Sequence, residues 1–160
     1  MSYFKAAADV VLPEEGQHSN DPKDPGGDTW FGLARKFNPD VTPWPPSREA
    51  ALAVYREKYY DNHRCDEMPW CWALAVFDGE VNQGDVLKLA QRALGVFEDG
   101  LIGDHTLAMM RAASRDCFED FLALRCLEYA TRQNASIFEH GWFKRVINIA
   151  LLSSFEPSVD

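Results

Sequence analysis

Along residues 3–12 the apolar positions Phe4, Ala7, Ala8 and Val11 recur with the period of an amphipathic helix, which Pro13 should end or kink. Residues 16–29 break that pattern. Asn20-Asp21-Pro22 and Asp24-Pro25-Gly26-Gly27 concentrate turn formers, which predicts a structured loop or a short hairpin. An apolar segment resumes at Trp30-Phe31-Gly32-Leu33, and the proline-rich stretch 39–46 reads as a connector. Ser47 is placed to cap a helix from about Arg48 to Tyr60, with Ala51, Leu52, Tyr55 and Tyr59 on one side and Arg56, Glu57 and Lys58 facing water. Residues 70–81 form a nearly all-apolar helix, the expected centre of the core, with Trp70 and Trp72 read as core residues.

Asp85 can cap a helix ending at Gly95. Further helices are predicted over about 105–113, 115–132 and 141–153. No convincing strand occurs outside the segment around 16–33, so the fold class is mainly α, with a short loop or hairpin set into it. There is no internal repeat, no low-complexity tract and no flexible linker. The reading is therefore one domain, with Gly84 as a candidate lobe boundary.

Composition narrows the function classes. A 46% hydrophobic share over 160 residues suffices for a real core. The net charge of -9 argues against nucleic acid as partner, since phosphate binding needs a basic face. The same charge opposes long-range approach to any acidic polymer. No stretch reaches the roughly 20 apolar residues of a membrane span, so no stable membrane insertion is expected. Asp9 falls where a signal peptide would carry its apolar run, which points to a protein held in a cytoplasm.

Cys65, Cys71, Cys117 and Cys126 lack zinc-site spacing and read as small buried apolar residues. His18, His63, His105 and His140 are scattered, with no pair set on one helical face, so neither a metal nor another cofactor is expected. The apolar residues of 142–152 are accompanied by only two basic ones, Lys144 and Arg145, so this segment is read as packing on the core and not on a membrane.

Two carboxylates invite a catalytic reading. Cleavage of a glycosidic bond needs one carboxylic acid to protonate the leaving oxygen, and usually a second carboxylate to activate water or attack the anomeric carbon. Glu15 and Asp24 flank the glycine- and proline-rich loop, and Thr29 follows shortly after. A loop that folds back brings all three to one cleft. Trp30 and Phe31 are candidates to line sugar subsites, because aromatic faces stack on pyranose rings. Asn82 and Gln83, just after the apolar helix, are candidates to hydrogen-bond N-acetyl groups across that cleft.

The run Glu15-Gly16, Asn20-Asp21-Pro22-Lys23-Asp24-Pro25-Gly26-Gly27-Asp28-Thr29 and Phe31-Gly32-Leu33 resembles the signature of glycoside hydrolase family 108. Tyr55 to Asp61, Val76-Phe77-Asp78 with Val81-Asn82 and Gly84, and Gln91-Arg92-Ala93-Leu94-Gly95-Val96 with Asp99-Gly100, Ile102-Gly103 and Thr106-Leu107 continue the likeness in order. That family contains phage endolysins and bacterial secretion-activator proteins.

The resemblance implies a lysozyme-like fold and an N-acetylmuramidase that cleaves the β-1,4 bond between N-acetylmuramic acid and N-acetylglucosamine in peptidoglycan. It also implies a peptidoglycan-binding region over 66 to about 154. Its catalytic glutamate carries over to Glu15 and not Glu14, because only Glu15 directly precedes Gly16. The Glu, Asp, Thr order is similar to that of T-even phage lysozymes, with one residue fewer before the threonine, which by analogy makes Asp24 and Thr29 the partners.

An endolysin of this kind would act as a monomer on glycan strands, waiting in the host bacterial cytoplasm until a holin opens the way to the periplasm. Gln17 and Pro13 depart from the family pattern without removing a catalytic group. The alternative is a wall-binding or secretion-associated protein that keeps the fold and does not cut. Inverting, retaining and transglycosylase outcomes stay open.

Overall fold

The computed structural model describes residues 2–12, 18–20 and 27–158. Among the described residues seven α-helices follow one another in chain order, with a small sheet between the first two, so the mainly α expectation holds. They are α1 (Phe4–Val11), α2 (Arg48–Tyr55), α3 (Trp70–Asn82), α4 (Val86–Leu94), α5 (Asp104–Ala112), α6 (Arg115–Ala130) and α7 (Ala135–Leu152). The sheet has three two-residue antiparallel strands, β1 (His18–Ser19), β2 (Thr29–Trp30) and β3 (Leu33–Ala34), in that order. It lies where the turn-forming loop predicted a hairpin.

The apolar run of α3 forms the centre of the molecule. Every residue from Trp72 to Gly79 is buried, and α1, α4 and α7 pack around it. Trp72 stacks on Phe121 of α6, with ring centroids 5.3 Å apart and planes 16° apart. Each such buried apolar side chain contributes about 1.5–3 kcal/mol. A tight turn then returns the chain along α3. Gly84 and Asp85 both have left-handed backbone, and a Cβ at Gly79 would lie 2.7 Å from both γ-methyls of Val86. Only a glycine allows α3 and α4 to cross that closely.

The structure departs from the sequence expectation at several elements. Asp85 does not cap α4. Its left-handed conformation turns the side chain from that role, and Glu80 instead accepts a hydrogen bond from the Val86 amide at 3.1 Å. Ser47 does cap α2, accepting from the Ala50 amide at 3.1 Å. The predicted helix to Tyr60 continues to Asp61, but its last six residues, Arg56–Asp61, widen into a π-helix. α7 begins at Ala135, ahead of the start predicted near Gly141. The glycine cost of about 1 kcal/mol is offset by Trp142 stacking on Tyr129 at 4.9 Å. All four cysteines are free, and only Cys65 is fully buried; the others are half-buried.

One charge lies inside the apolar helix. Asp78 is fully buried and receives Arg125 Nη2 at 2.7 Å and Arg145 Nε at 2.5 Å. Arg125 is also fully buried; it donates further to the Ala75 carbonyl at 3.1 Å and the Gln83 side-chain oxygen at 2.9 Å. The pair is thus satisfied in both charge and hydrogen bonds, the condition under which a buried ion pair is tolerated. Asp78→Asn keeps the shape but leaves Arg125 charged and buried. It is expected to destabilise the fold by about 3–5 kcal/mol, read as a lower urea midpoint at unchanged slope. An unmoved midpoint would show that the pair does not hold α3 to α6.

Candidate active site

The site grows from the hairpin. β2 pairs with β3 through Trp30 and Leu33, joined by Phe31 and Gly32 alone. Both loop residues have positive φ, 50° and 79°, as a type I′ hairpin requires. Phe31 carries a Cβ into this left-handed region, which costs about 1–2 kcal/mol. The Tyr55 hydroxyl of α2 holds the turn by donating to the Phe31 carbonyl at 3.1 Å. Burial pushes the Tyr55 phenol up to about 12, with the neighbouring Tyr59 adding to the shift, so it stays a donor at neutral pH. A Cβ at Gly32 would lie 2.4 Å from that hydroxyl.

Asp28, just before β2, organises what surrounds the hairpin. Its carboxylate accepts from Trp44 Nε1 at 2.7 Å, from Trp30 Nε1 at 3.1 Å and from His18 Nε2 at 3.1 Å. Its backbone carbonyl accepts from the Arg35 amide at 2.9 Å, extending the ladder beyond β3. The His18 ring stacks on Trp30 with centroids 4.4 Å apart, and the Arg35 guanidinium lies 5.7 Å over the Trp44 ring. One carboxylate therefore fixes two indoles and an imidazole from three separate segments. These donors, Trp44 foremost and then His18 and Trp30, hold the Asp28 carboxyl below the usual carboxylate range.

The residues singled out in the sequence divide into three groups. Glu15 and Asp24 lie outside the described residues, in the segment between α1 and β1 and in the segment between β1 and β2. Thr29, Trp30 and Phe31 are half-buried together on the hairpin. The Thr29 hydroxyl donates to the Gly27 carbonyl at 3.0 Å, which leaves its oxygen as an acceptor.

Asn82 and Gln83 close α3, and the structure treats them differently. Asn82 is exposed and donates to the Asp78 carbonyl at 2.9 Å. Gln83 is buried: its amide donates to the Arg125 carbonyl at 3.0 Å and to Glu128 at 2.5 Å, while its oxygen takes Arg125 Nε. With both amide hydrogens engaged inside the protein, Gln83 is a structural residue, and this corrects the sugar-binding expectation.

Sequence reasoning missed Asp28, His18 and Trp44. Asp28 was one of several acidic residues in a turn-rich loop, with no local sign of its partners. Trp44 sat in the stretch read as a connector, although a tryptophan among prolines is a signal that the stretch packs onto something. Among the described residues, no group of three His, Cys, Asp or Glu side chains is placed to hold a metal ion, and no helix is long and apolar enough to cross a membrane.

Residues 8–84 match the family Glycosyl hydrolase 108. That span takes in every site residue named from the sequence. The chain is also similar to the solved structure of Brucella abortus SagA, with 27% identical residues and a TM-score of 0.81. The likeness covers 94% of this chain and 93% of that one, so it runs through the C-terminal helices beyond the family match. No curated protein sequence matches the chain.

Two outcomes follow from this geometry. Gly32→Ala must place a methyl against the Tyr55 hydroxyl on left-handed backbone, and a loss of more than about 1 kcal/mol in stability is expected from chemical denaturation. Asp28→Asn presents an amide group to donors that need an acceptor. Because the folded carboxyl titrates below its unfolded value, its contribution is complete above about pH 4 and is lost as pH falls through the folded value. The stability gap between Asp28→Asn and the wild-type chain should therefore be widest near neutral pH and close in acid. A pH-independent gap in melting experiments would contradict the ionised hub.

Proposed function

Because residues 8–84 belong to the glycosyl hydrolase 108 family, we propose that this protein is a peptidoglycan hydrolase of lysozyme type, an N-acetylmuramidase cutting the β-1,4 bond between N-acetylmuramic acid and N-acetylglucosamine. The observation that carries the reading is the aromatic hairpin around Asp28, which follows the segments holding Glu15 and Asp24 in the chain and lies inside the family-matched span.

In this reading Glu15 is the general acid that protonates the leaving glycosidic oxygen. A general acid in this role has to stay protonated near neutral pH, which a partly desolvated setting would favour by penalising the charged form. Asp24 stays ionised and stabilises the oxocarbenium-like transition state or orients a water. The Thr29 oxygen, whose own hydrogen is directed at Gly27, receives a hydrogen bond from that water. Trp30 and Phe31 offer ring faces to the sugars. Asn82, exposed at the end of α3, is the remaining candidate for contact with an N-acetyl group.

Asp28 is given no chemical role, since three N–H donors already surround its carboxylate. The lobe of residues 1–65 carries the chemistry, and residues 66–160 supply the opposite wall and bind the glycan strand. As a phage endolysin the protein would act as a monomer and wait in the host cytoplasm for a holin.

Mass spectrometry of the soluble products from purified Gram-negative peptidoglycan, comparing the wild-type chain with Glu15→Gln, tests the proposal. Fragments ending in reducing N-acetylmuramic acid are expected from wild type, with release slowed at least about a hundredfold in the variant, as befits loss of a general acid. Anhydro-sugar ends would make the protein a transglycosylase. No fragments from either folded chain would leave a wall-binding or secretion-associated protein instead.

A further inference from the structure

Most of the arginines meet a carboxylate within 3.3 Å, from the buried Arg125 to the exposed Arg115. Arg35 differs. It is exposed just after β3, and among the described residues its guanidinium has neither an acidic partner nor a hydrogen-bond acceptor. It lies instead over the Trp44 ring, 5.7 Å from the ring centre. A cation on a ring face is attracted through the ring quadrupole, which does not use its N–H donors, so they stay available to an acceptor. The carboxylate of the hairpin is already occupied, because Trp44, Trp30 and His18 donate to Asp28.

Asp28 also holds this cation in place from two sides. Its backbone carbonyl accepts from the Arg35 amide at 2.9 Å, and its Oδ2 accepts from Trp44 Nε1 at 2.7 Å, which fixes the ring under the guanidinium. Its Oδ1 accepts from Trp30 Nε1 at 3.1 Å. The two indole nitrogens therefore sit on the two oxygens of one carboxylate, and Arg35 is built into the same cluster as Trp30. Lys36, the next residue, adds a second cation to this edge, with Nζ 5.5 Å from the centre of the Phe37 ring.

We propose that Arg35 is a specificity-determining residue, a seat for a carboxylate of the short peptide that hangs from N-acetylmuramic acid in the wall polymer. The inference rests on the muramidase reading and deepens it: Trp30 meets a sugar ring, and Arg35 reads the acidic peptide next to it. A guanidinium can donate two parallel hydrogen bonds to one carboxylate, a match of shape as well as charge. In the intact polymer the lactyl carboxyl of N-acetylmuramic acid is tied up in the amide to its peptide, so the free carboxylates are those of the peptide. A net charge of -9 repels such a polymer at long range. A cation held at the point of contact reverses that sign locally and favours a strand that carries its peptides over bare sugar.

The test uses three soluble probes, none of which contains the bond that a muramidase cuts. They are the N-acetylglucosamine–N-acetylmuramic acid disaccharide with its peptide, the same disaccharide with the peptide removed, and diacetylchitobiose, which has no carboxylate. Each is titrated into the full chain while the indole N–H signals of Trp30 and Trp44 are followed by NMR. Wild type is expected to bind the peptide-bearing disaccharide about tenfold more tightly than diacetylchitobiose, as one charge-assisted contact would give, with the Trp44 signal shifting. Arg35→Gln should erase that preference while the affinity for diacetylchitobiose and the melting temperature stay at wild-type values. Arg35→Lys, which keeps the charge but loses the fork, should recover only part of it. High salt should shrink the wild-type preference, because the pair is at the surface.

Equal wild-type affinity for the peptide-bearing disaccharide and diacetylchitobiose, or a preference that survives in Arg35→Gln, would overturn the seat. Tight binding of the peptide-free disaccharide would overturn the assignment to the peptide and give the seat to the lactyl carboxylate instead. Release of fragments from peptidoglycan is read separately. A wild-type chain that releases none yet binds the peptide-bearing disaccharide through Arg35 would overturn the muramidase reading and leave the seat on a wall-binding protein.

Discussion

The fold depends on one fully buried carboxylate. Asp78 sits on the central helix where apolar contacts alone would leave α6 and α7 free to slide, because dispersion and hydrophobic burial have little directional preference. Its two arginines remove that freedom. Arg125 locks α6 against α3, and Arg145 locks α7 against both α3 and the end of α1. Leaving water is costly for each ion, and attraction in the interior offsets that cost only when the hydrogen bonds are complete. Here they are shared with the Ala75 and Val11 carbonyls and with Gln83. Gln83 passes the network on to Glu128, and Arg132 bonds both Glu128 and the Gln83 carbonyl. Polar order thus runs from the core to the surface without a break.

A second carboxylate does comparable work at the surface, with a different energetic logic. Asp28 is only partly shielded, so its contribution comes from accepting three N–H donors in fixed directions and not from low dielectric. Two-residue strands cannot hold a hairpin by their ladder alone. The Asp28 contacts to His18, Trp30 and Trp44, and the bond from Tyr55 to the strained turn at Phe31, supply what the short strands lack. Strain at Phe31 fits a site whose geometry is imposed by its surroundings.

The proposed chemistry places an acidic protein on an acidic polymer. A net charge of -9 slows encounter at low ionic strength and is screened within about 8 Å at physiological salt. Recognition would then rest on short-range stacking and hydrogen bonding at the hairpin, where Arg35 lies over Trp44 and His18 over Trp30.

How much was legible beforehand follows from the range of each interaction. Helix periodicity, the Ser47 cap, the proline stop after α1 and the turn-rich loop are local, and residues a few positions apart specify them. The sequence therefore determined the mainly α class, most helix positions, the hairpin region and the order of Glu15, Asp24 and Thr29. Asp85 and Gln83 were misread because neighbours far along the chain set their roles: the tight α3–α4 crossing for one, Arg125 and Glu128 for the other. Asp28 looked like any loop acid, and Arg145 like any helix-face cation. Only the tertiary structure decided that the first gathers His18, Trp30 and Trp44 and that the second joins α7 to the end of α1, because ion pairs and hydrogen bonds between segments as much as 134 positions apart leave no periodic trace in the sequence.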